Sequence, residues 1–180
     1  MDPIDEDEMI AMCRRGDLAG YRLVYERYSG PLLRTALRTL GRAQDAEDAV
    51  QETFLKLYRG IGGFRSGARF STYLFQILHN ACIDAVRKRR PPAYDIADAP
   101  VAGGLAVLPS HELGHALGQA VNRLPGQMRK SFVLFAVEEF SQEEAAEILG
   151  ISVGALKTHV HRARKKLRAW LGSCPRGGTP

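Results

Sequence analysis

Lys157, Thr158, His161, Arg162, Arg164, Lys165 and Arg168 are interleaved with Leu156, Val160, Ala163 and Leu167. The apolar four recur at i, i+4, i+7 and i+11, the repeat of one helix face. Such a helix is dry on one side and cationic on the other. After Glu147 the chain carries no acidic residue at all. Ammonium and guanidinium groups neutralise phosphates, and an arginine fork also reads base edges in a DNA major groove. Lys157, Thr158, His161 and Arg162, in the first half, suit base edges. Arg164, Lys165 and Arg168 suit phosphates. His159 and His161 lie two apart, so they do not face a common ligand.

A second basic set closes another helix: Arg87, Lys88, Arg89 and Arg90. Upstream of it lies GIGGFRSGARF, a glycine-rich stretch holding Arg65 and Arg69, followed by Tyr73 and Asn80. Opening a duplex takes a base out of its stack. The rings of Phe70 and Tyr73 are suited to stack on or wedge between bases, and the Asn80 amide offers both donor and acceptor. Arg65, Arg69 and Arg87 to Arg90 would hold phosphates. The competing reading puts Phe70 and Tyr73 in the core of an amphipathic helix.

A third set is acidic. Asp45, Asp48, Glu52 and Lys56 follow spacings of three, four and four, opposite Ala46, Ala49, Val50, Phe54, Leu57 and Tyr58. With Gln51, these carboxylates can meet arginines of a partner through charge-assisted hydrogen bonds. A solvated face with an acid at the helix N-terminus is the plainer alternative.

His111-Glu112-Leu113-Gly114-His115 matches the zinc-protease pattern HExxH. Pro109 leaves His111 at a frayed helix start, and Gly114 and Gly118 weaken that helix. Val121 stands where the metzincin extension would need a third histidine, although spacing leaves a downstream glutamate such as Glu138 open as a ligand. The surrounding unit is also too small for a peptide cleft. No metal and no cofactor is expected. His79 and Cys82 are helix neighbours without two further ligands.

The elements that position these groups are helical throughout. Ser141, with Glu144 three residues on, forms a capping box, and Gly150 stops that helix. Ser152 caps the basic helix, so residues 141–168 read as a helix-turn-helix. Upstream, one helix runs from about Asp5 to Arg15. Asp17 caps a second, Pro31 begins a third that ends at Gly41, and Asp45 opens a fourth. Ser71 caps a long fifth helix ending before Pro91. Residues 91–110 carry four prolines and a Gly-Gly, the signature of a flexible linker. Helices over Glu112–Arg123 and Gln127–Phe140 precede the helix-turn-helix. The fold expected is all-α: a domain over 1–90, the linker 91–110, a domain over 111–171 and a disordered tail over 172–180.

The chain of 180 residues carries a net charge of +5, with acidic residues gathered at the N-terminus and basic ones in the two patches. Its three scattered cysteines suit a reducing compartment rather than a disulfide framework. An acidic N-terminus without an apolar run excludes a signal peptide, so a soluble cytoplasmic protein is expected.

Asp45 to Tyr58, Phe70 to Asp84 and the helix-turn-helix occur in that order. Together with Arg15-Gly16-Asp17 and Leu124-Pro125 followed by Arg129, they closely resemble the extracytoplasmic-function (ECF) sigma factors of bacterial RNA polymerase. The resemblance covers residues 5–170. It implies a non-enzymatic factor that binds core polymerase and directs promoter-specific initiation. The first domain would bind the clamp of the largest subunit through Asp45, Asp48, Gln51 and Glu52. It would also recognise and melt the minus-10 element through the loop and long helix. The second would read the minus-35 element. An anti-sigma factor is implied as a further partner. Tyr73 departs from the tryptophan common in the family. A stand-alone helix-turn-helix regulator would explain residues 141–168, but not the Asp45–Asp84 pattern.

Overall fold

The computed structural model describes residues 5–65, 67, 69–89 and 112–172. Every regular element among them is helical. The linker, the tail from residue 173, His111 and Arg90 lie outside the described residues, as do the side chains of Arg89 and residues 112–116.

Helix α1 spans Glu6–Arg14, with the Asp5 carboxylate accepting from the Glu6 amide. The chain reverses at Gly16, whose φ of 76° suits a residue without Cβ. Asp17 caps α2 by accepting from the Ala19 amide at 2.9 Å. Gly20 permits close approach of α2 to α1, since a Cβ there would sit 2.6 Å from the Met12 Cβ and 2.9 Å from the Cys13 amide nitrogen.

The expected break at Pro31 does not occur. Helix α2 runs unbroken over Leu18–Leu40 with the proline inside it. Proline normally clashes with the amide and Cβ of the preceding residue. Here that residue is Gly30, which has no Cβ, so what remains is the contact with its amide, the ring's crowding of the Arg27 carbonyl and one lost backbone hydrogen bond. Leu32, Ala36 and Leu40 beyond the proline are buried and hold the helix in register.

Helix α3 spans Ala43–Gly60. Its N-cap is Arg42 rather than Asp45, which instead lies in the first turn, where a carboxylate favours the helix dipole. Ala46, Ala49, Val50 and Leu57 are buried as the pattern required, but Tyr58 is not. A 3₁₀ turn over Ile61–Gly63 leads to Phe64, so the glycine-rich stretch starts from a structured base. Helix α4 spans Phe70–Arg89.

The second region holds α5 (Glu112–Asn122), α6 (Gly126–Ala136), α7 (Gln142–Leu149) and α8 (Val153–Gly172). Gly172, assigned to the tail from sequence, is the last residue of α8. Helix α6 stops four residues earlier than its apolar run suggested. Residues 137–140 form a turn instead, with Glu139 in the left-handed region at φ 56°. Arg129 is buried in α6 and donates to the Asn122 carbonyl at 3.1 Å, tying α6 to the end of α5.

Two apolar clusters result. The smaller one joins Ala120, Val121, Leu124, Val133, Ala163 and Leu167 within the second region. The larger fills α1–α4 and continues into Leu134, Phe140, Ala145, Ile148 and Leu149. The two helical regions therefore pack face to face, α6 and α7 lying on α2 and α4. Phe75 and Phe140 meet edge to face across that seam with centroids 4.8 Å apart.

Candidate functional site

The helix-turn-helix forms as its caps dictate. The Ser141 hydroxyl accepts from the Glu144 amide at 3.2 Å, and the Glu144 carboxylate accepts from the Ser141 amide at 2.8 Å. Gly150 turns the chain at φ 64°. The Ser152 hydroxyl accepts from the Ala155 amide at 3.2 Å and starts α8. Leu156, Val160, Ala163 and Leu167 are buried, so the cationic face points outward. Lys157, Thr158, His161, Arg162, Arg164 and Lys165 are all exposed.

Two of these are partly engaged. The Thr158 hydroxyl donates to the Gly154 carbonyl at 3.0 Å, which leaves its lone pairs outward. The Arg164 guanidinium lies 5.7 Å from the Phe135 ring centroid, a cation–π contact that anchors its stem over the domain. His159 is a different kind of residue. Half-buried, its Nδ1 lies 3.3 Å from the Ser131 hydroxyl, so it braces α8 against α6.

At the start of α4 the rings divide into two roles. Phe70 is only 1% exposed and meets Tyr28 and Phe64 with centroids at 5.7 and 5.4 Å. It is thus a core ring and offers no face to a base in this conformation, because four aromatics stack here. Tyr73 is half-buried, and its hydroxyl donates to the Gly60 carbonyl at 3.2 Å. Burial raises its pKa. Arg14 clamps the loop base by donating to the Phe64 carbonyl at 2.5 Å. Arg65, Arg69 and Asn80 are exposed, as are Arg87 and Lys88 towards the other end of α4.

On α3, Asp48 and Gln51 are exposed, while Asp45 and Glu52 are half-buried. Lys56 lies 3.6 Å from both Glu52 and Asp84, bridging α3 to α4. Asp45, Asp48, Glu52, Asp84, Arg87 and Lys88 line a charged groove between those helices. The opposite flank of α3 carries a feature missed from sequence. Leu18, Tyr21, Tyr25, Phe54, Leu55 and Tyr58 line an apolar groove between α2 and α3. Leu18 is 74% exposed and Tyr58 57%. Large apolar side chains gathered in the open mark an interaction surface. The signal was present: Gln51, Leu55 and Tyr58 follow helical spacing on a face distinct from the buried stripe.

Among the described residues no three histidine, cysteine or acidic side chains gather to hold a metal ion. The HExxH reading falls on His111, outside them, and on side chains of α5 that are likewise undescribed. No described helix is long and apolar enough to cross a membrane.

The chain matches the family models for sigma-70 region 2 over residues 24–91 and sigma-70 region 4 over residues 114–167. It is 36% identical over 178 residues to the ECF RNA polymerase sigma factor SigW of Bacillus subtilis, covering 90% of this chain and 94% of that protein. Among solved structures it resembles CnrH bound to the cytosolic domain of CnrY, with a TM-score of 0.69 at 27% identity, covering 92% and 96% of the two chains. It also resembles RpoE bound to the anti-sigma factor NepR from Bartonella quintana, with a TM-score of 0.67 at 26% identity, covering 86% and 98%.

Proposed function

The chain belongs to the ECF sigma factors of RNA polymerase, and from that premise we propose how its surfaces divide the work of initiation. It directs transcription initiation and is not itself an enzyme. The observation that carries the assignment of surfaces is the separation of charge. The cationic face of α8 is open, and an acidic and apolar strip lies on α3 in the other region.

Residues 1–90 form the unit that binds core polymerase and the minus-10 element. Asp45, Asp48, Gln51 and Glu52 meet arginines of the polymerase clamp, and the neighbouring groove of Leu18, Tyr25, Leu55 and Tyr58 receives its apolar side chains. Polar groups at the rim and apolar ones at the centre are the usual anatomy of a protein interface. Arg65, Arg69, Arg87 and Lys88 grip phosphates, while Tyr73 and Asn80 face the opened bases. Phe70 supports Tyr73 from within. Residues 111–171 form the unit that reads the minus-35 element. There Lys157, Thr158, His161 and Arg162 reach base edges, and Arg164 and Lys165 sit along the backbone. Residues 91–110 connect the two. The anti-sigma partners of the similar solved structures support a comparable partner for this chain, which acts where the polymerase is, in the cytoplasm.

In vitro transcription with purified core polymerase on a genomic promoter library tests this. Discrete start sites that appear only with the protein are the expected result. A protein that binds a palindromic site as a dimer, and supports no core-dependent initiation, would be a regulator instead.

A further inference from the structure

Arg65 and Arg69 stand just inside the two ends of the stretch between η-turn and α4, and rings close that stretch behind them. Phe64 and Phe70, the residues immediately outside the two arginines, meet edge to face with centroids 5.4 Å apart. Tyr28 continues the row beyond Phe70 at 5.7 Å, and Tyr73 packs on Phe64 at 5.2 Å. Ring pairs at such spacings attract each other and fix their mutual angle. The Phe64 amide also donates to the Ile61 carbonyl at 3.2 Å. The stretch is thus pinched at its base, and the placing of Phe64 sets where Arg65 begins.

Helix α1 bolts this row at two points. The Tyr28 hydroxyl donates to the Glu6 carboxylate. Arg14 holds Phe64 twice, donating to its carbonyl at 2.5 Å and lying 5.9 Å from its ring centroid. A cation in the last turn of a helix ordinarily serves that helix's own carbonyls. Here the Ala11, Met12 and Cys13 carbonyls already accept from the Arg15, Asp17 and Gly16 amides. The Arg14 guanidinium instead crosses to an element 50 residues away in sequence.

We propose that Arg14 is a positioning residue for duplex opening: by holding both the backbone and the ring of Phe64, it fixes the direction in which Arg65 leaves the ring row and so presets the grip on the minus-10 strand, an inference that rests on assigning Arg65 to that contact. A loop ordered before DNA arrives gives up less conformational freedom on binding, and the saving shows as affinity. Arg14 is itself exposed, so a phosphate contact of its own is the rival account. The two differ in coupling. A residue that acts through Arg65 loses its effect once Arg65 is gone, whereas two separate phosphate contacts add.

The test compares Arg14→Met, which keeps an apolar stem, in the native chain and in an Arg65→Ala background. Hydrogen exchange of the Phe64 amide, followed by NMR on the full chain, should quicken by about tenfold, the scale of one charge-assisted hydrogen bond. Holoenzyme made with purified core should bind a fork-junction oligonucleotide with a single-stranded minus-10 element about tenfold more weakly, with affinity for core unchanged. In the Arg65→Ala background the same substitution should cost almost nothing. Native exchange at Phe64 overturns the proposal. So does an equal loss in both backgrounds, the mark of Arg14 gripping a phosphate itself. A matching loss of core affinity overturns it too, since the fold as a whole is then damaged. If Arg65→Ala alone leaves fork binding intact, the minus-10 assignment of Arg65 falls, and exchange at Phe64 still decides whether Arg14 holds the loop.

Discussion

Arg162 is the residue on which specificity is read most directly. It is exposed on the first half of α8, unpaired by any acid on its own helix, and long enough to fork onto a base. Replacing it with alanine should weaken use of the upstream element by ~1–3 kcal/mol if the contact is bidentate. Transcription from native and scrambled upstream sequences is the check, and an equal loss on both would make it a phosphate contact. His79 makes a different prediction. Burial, followed by the charge of Lys130, lowers its pKa to about 4. The unfolded chain takes a proton near the ordinary value of 6.5, while the folded chain resists until about 4. Stability should therefore fall as pH drops through that window, by up to about 3 kcal/mol. His79→Gln should flatten the slope in urea titrations between pH 7 and 5, and an unchanged slope would assign the pH effect elsewhere. Glu144 has the same sign for a different reason. Burial would raise its pKa, but hydrogen bonds from the Ser141 amide and hydroxyl and from Arg69 outweigh it and lower the value. Its contribution is complete above the ordinary glutamate range and is lost as pH falls through the lowered pKa.

Among the elements, α3 and α7–α8 were the most legible in the sequence, for physical reasons. A capping box, a left-handed glycine and a four-residue apolar repeat are local signals, and residues 141–168 carry all three. Glu144→Ala should cost about 1 kcal/mol of stability by removing one arm of that box, and chemical denaturation would show it. A loss near zero would mean that the Ser141 hydroxyl alone caps α7. On α3 the buried stripe was legible, but the fate of Tyr58 was not. An apolar residue near the edge of a stripe is inside or outside according to which helices cover it, and that is a tertiary fact. Phe70 was open in the sequence between stacking on bases and packing in the core, and its contact with Tyr28 from α2 places it in the core. Pro31 misled because Gly30 before it carries no Cβ for the ring to meet, and the buried Leu32, Ala36 and Leu40 hold the helix beyond it. Asp48→Arg with Glu52→Arg should weaken core binding with the fold intact, and Leu55→Ala with Tyr58→Ala should do so independently. Affinity for purified core decides both, and unchanged binding in either pair removes that strip from the interface.

At the scale of the molecule, the all-helical, two-region organisation followed from periodicity and from the proline-rich stretch between the regions. That the regions share an apolar seam did not follow. Leu134, Ile148 and Leu149 read as core residues of their own region, and nothing local tells that their partners are Phe75 and Leu78 of another. Helix α2 ties the scales together. Leu18, Tyr21 and Tyr25 of its first two turns line the exposed groove, and Thr35 and Arg38 near its end hold Glu138. Along its axis Leu18 and Arg38 lie about 30 Å apart at 1.5 Å per residue. Gly30-Pro31, lacking one rung of the backbone ladder, is its natural fulcrum. A swing of about 5° there carries Arg38 through about 1 Å. That is enough to stretch its 2.7 Å bond to Glu138 beyond hydrogen-bonding reach. A partner that seats in the groove therefore acts on the longer arm of α2, about 18 Å from Leu18 to Gly30, against about 11 Å from Pro31 to Arg38.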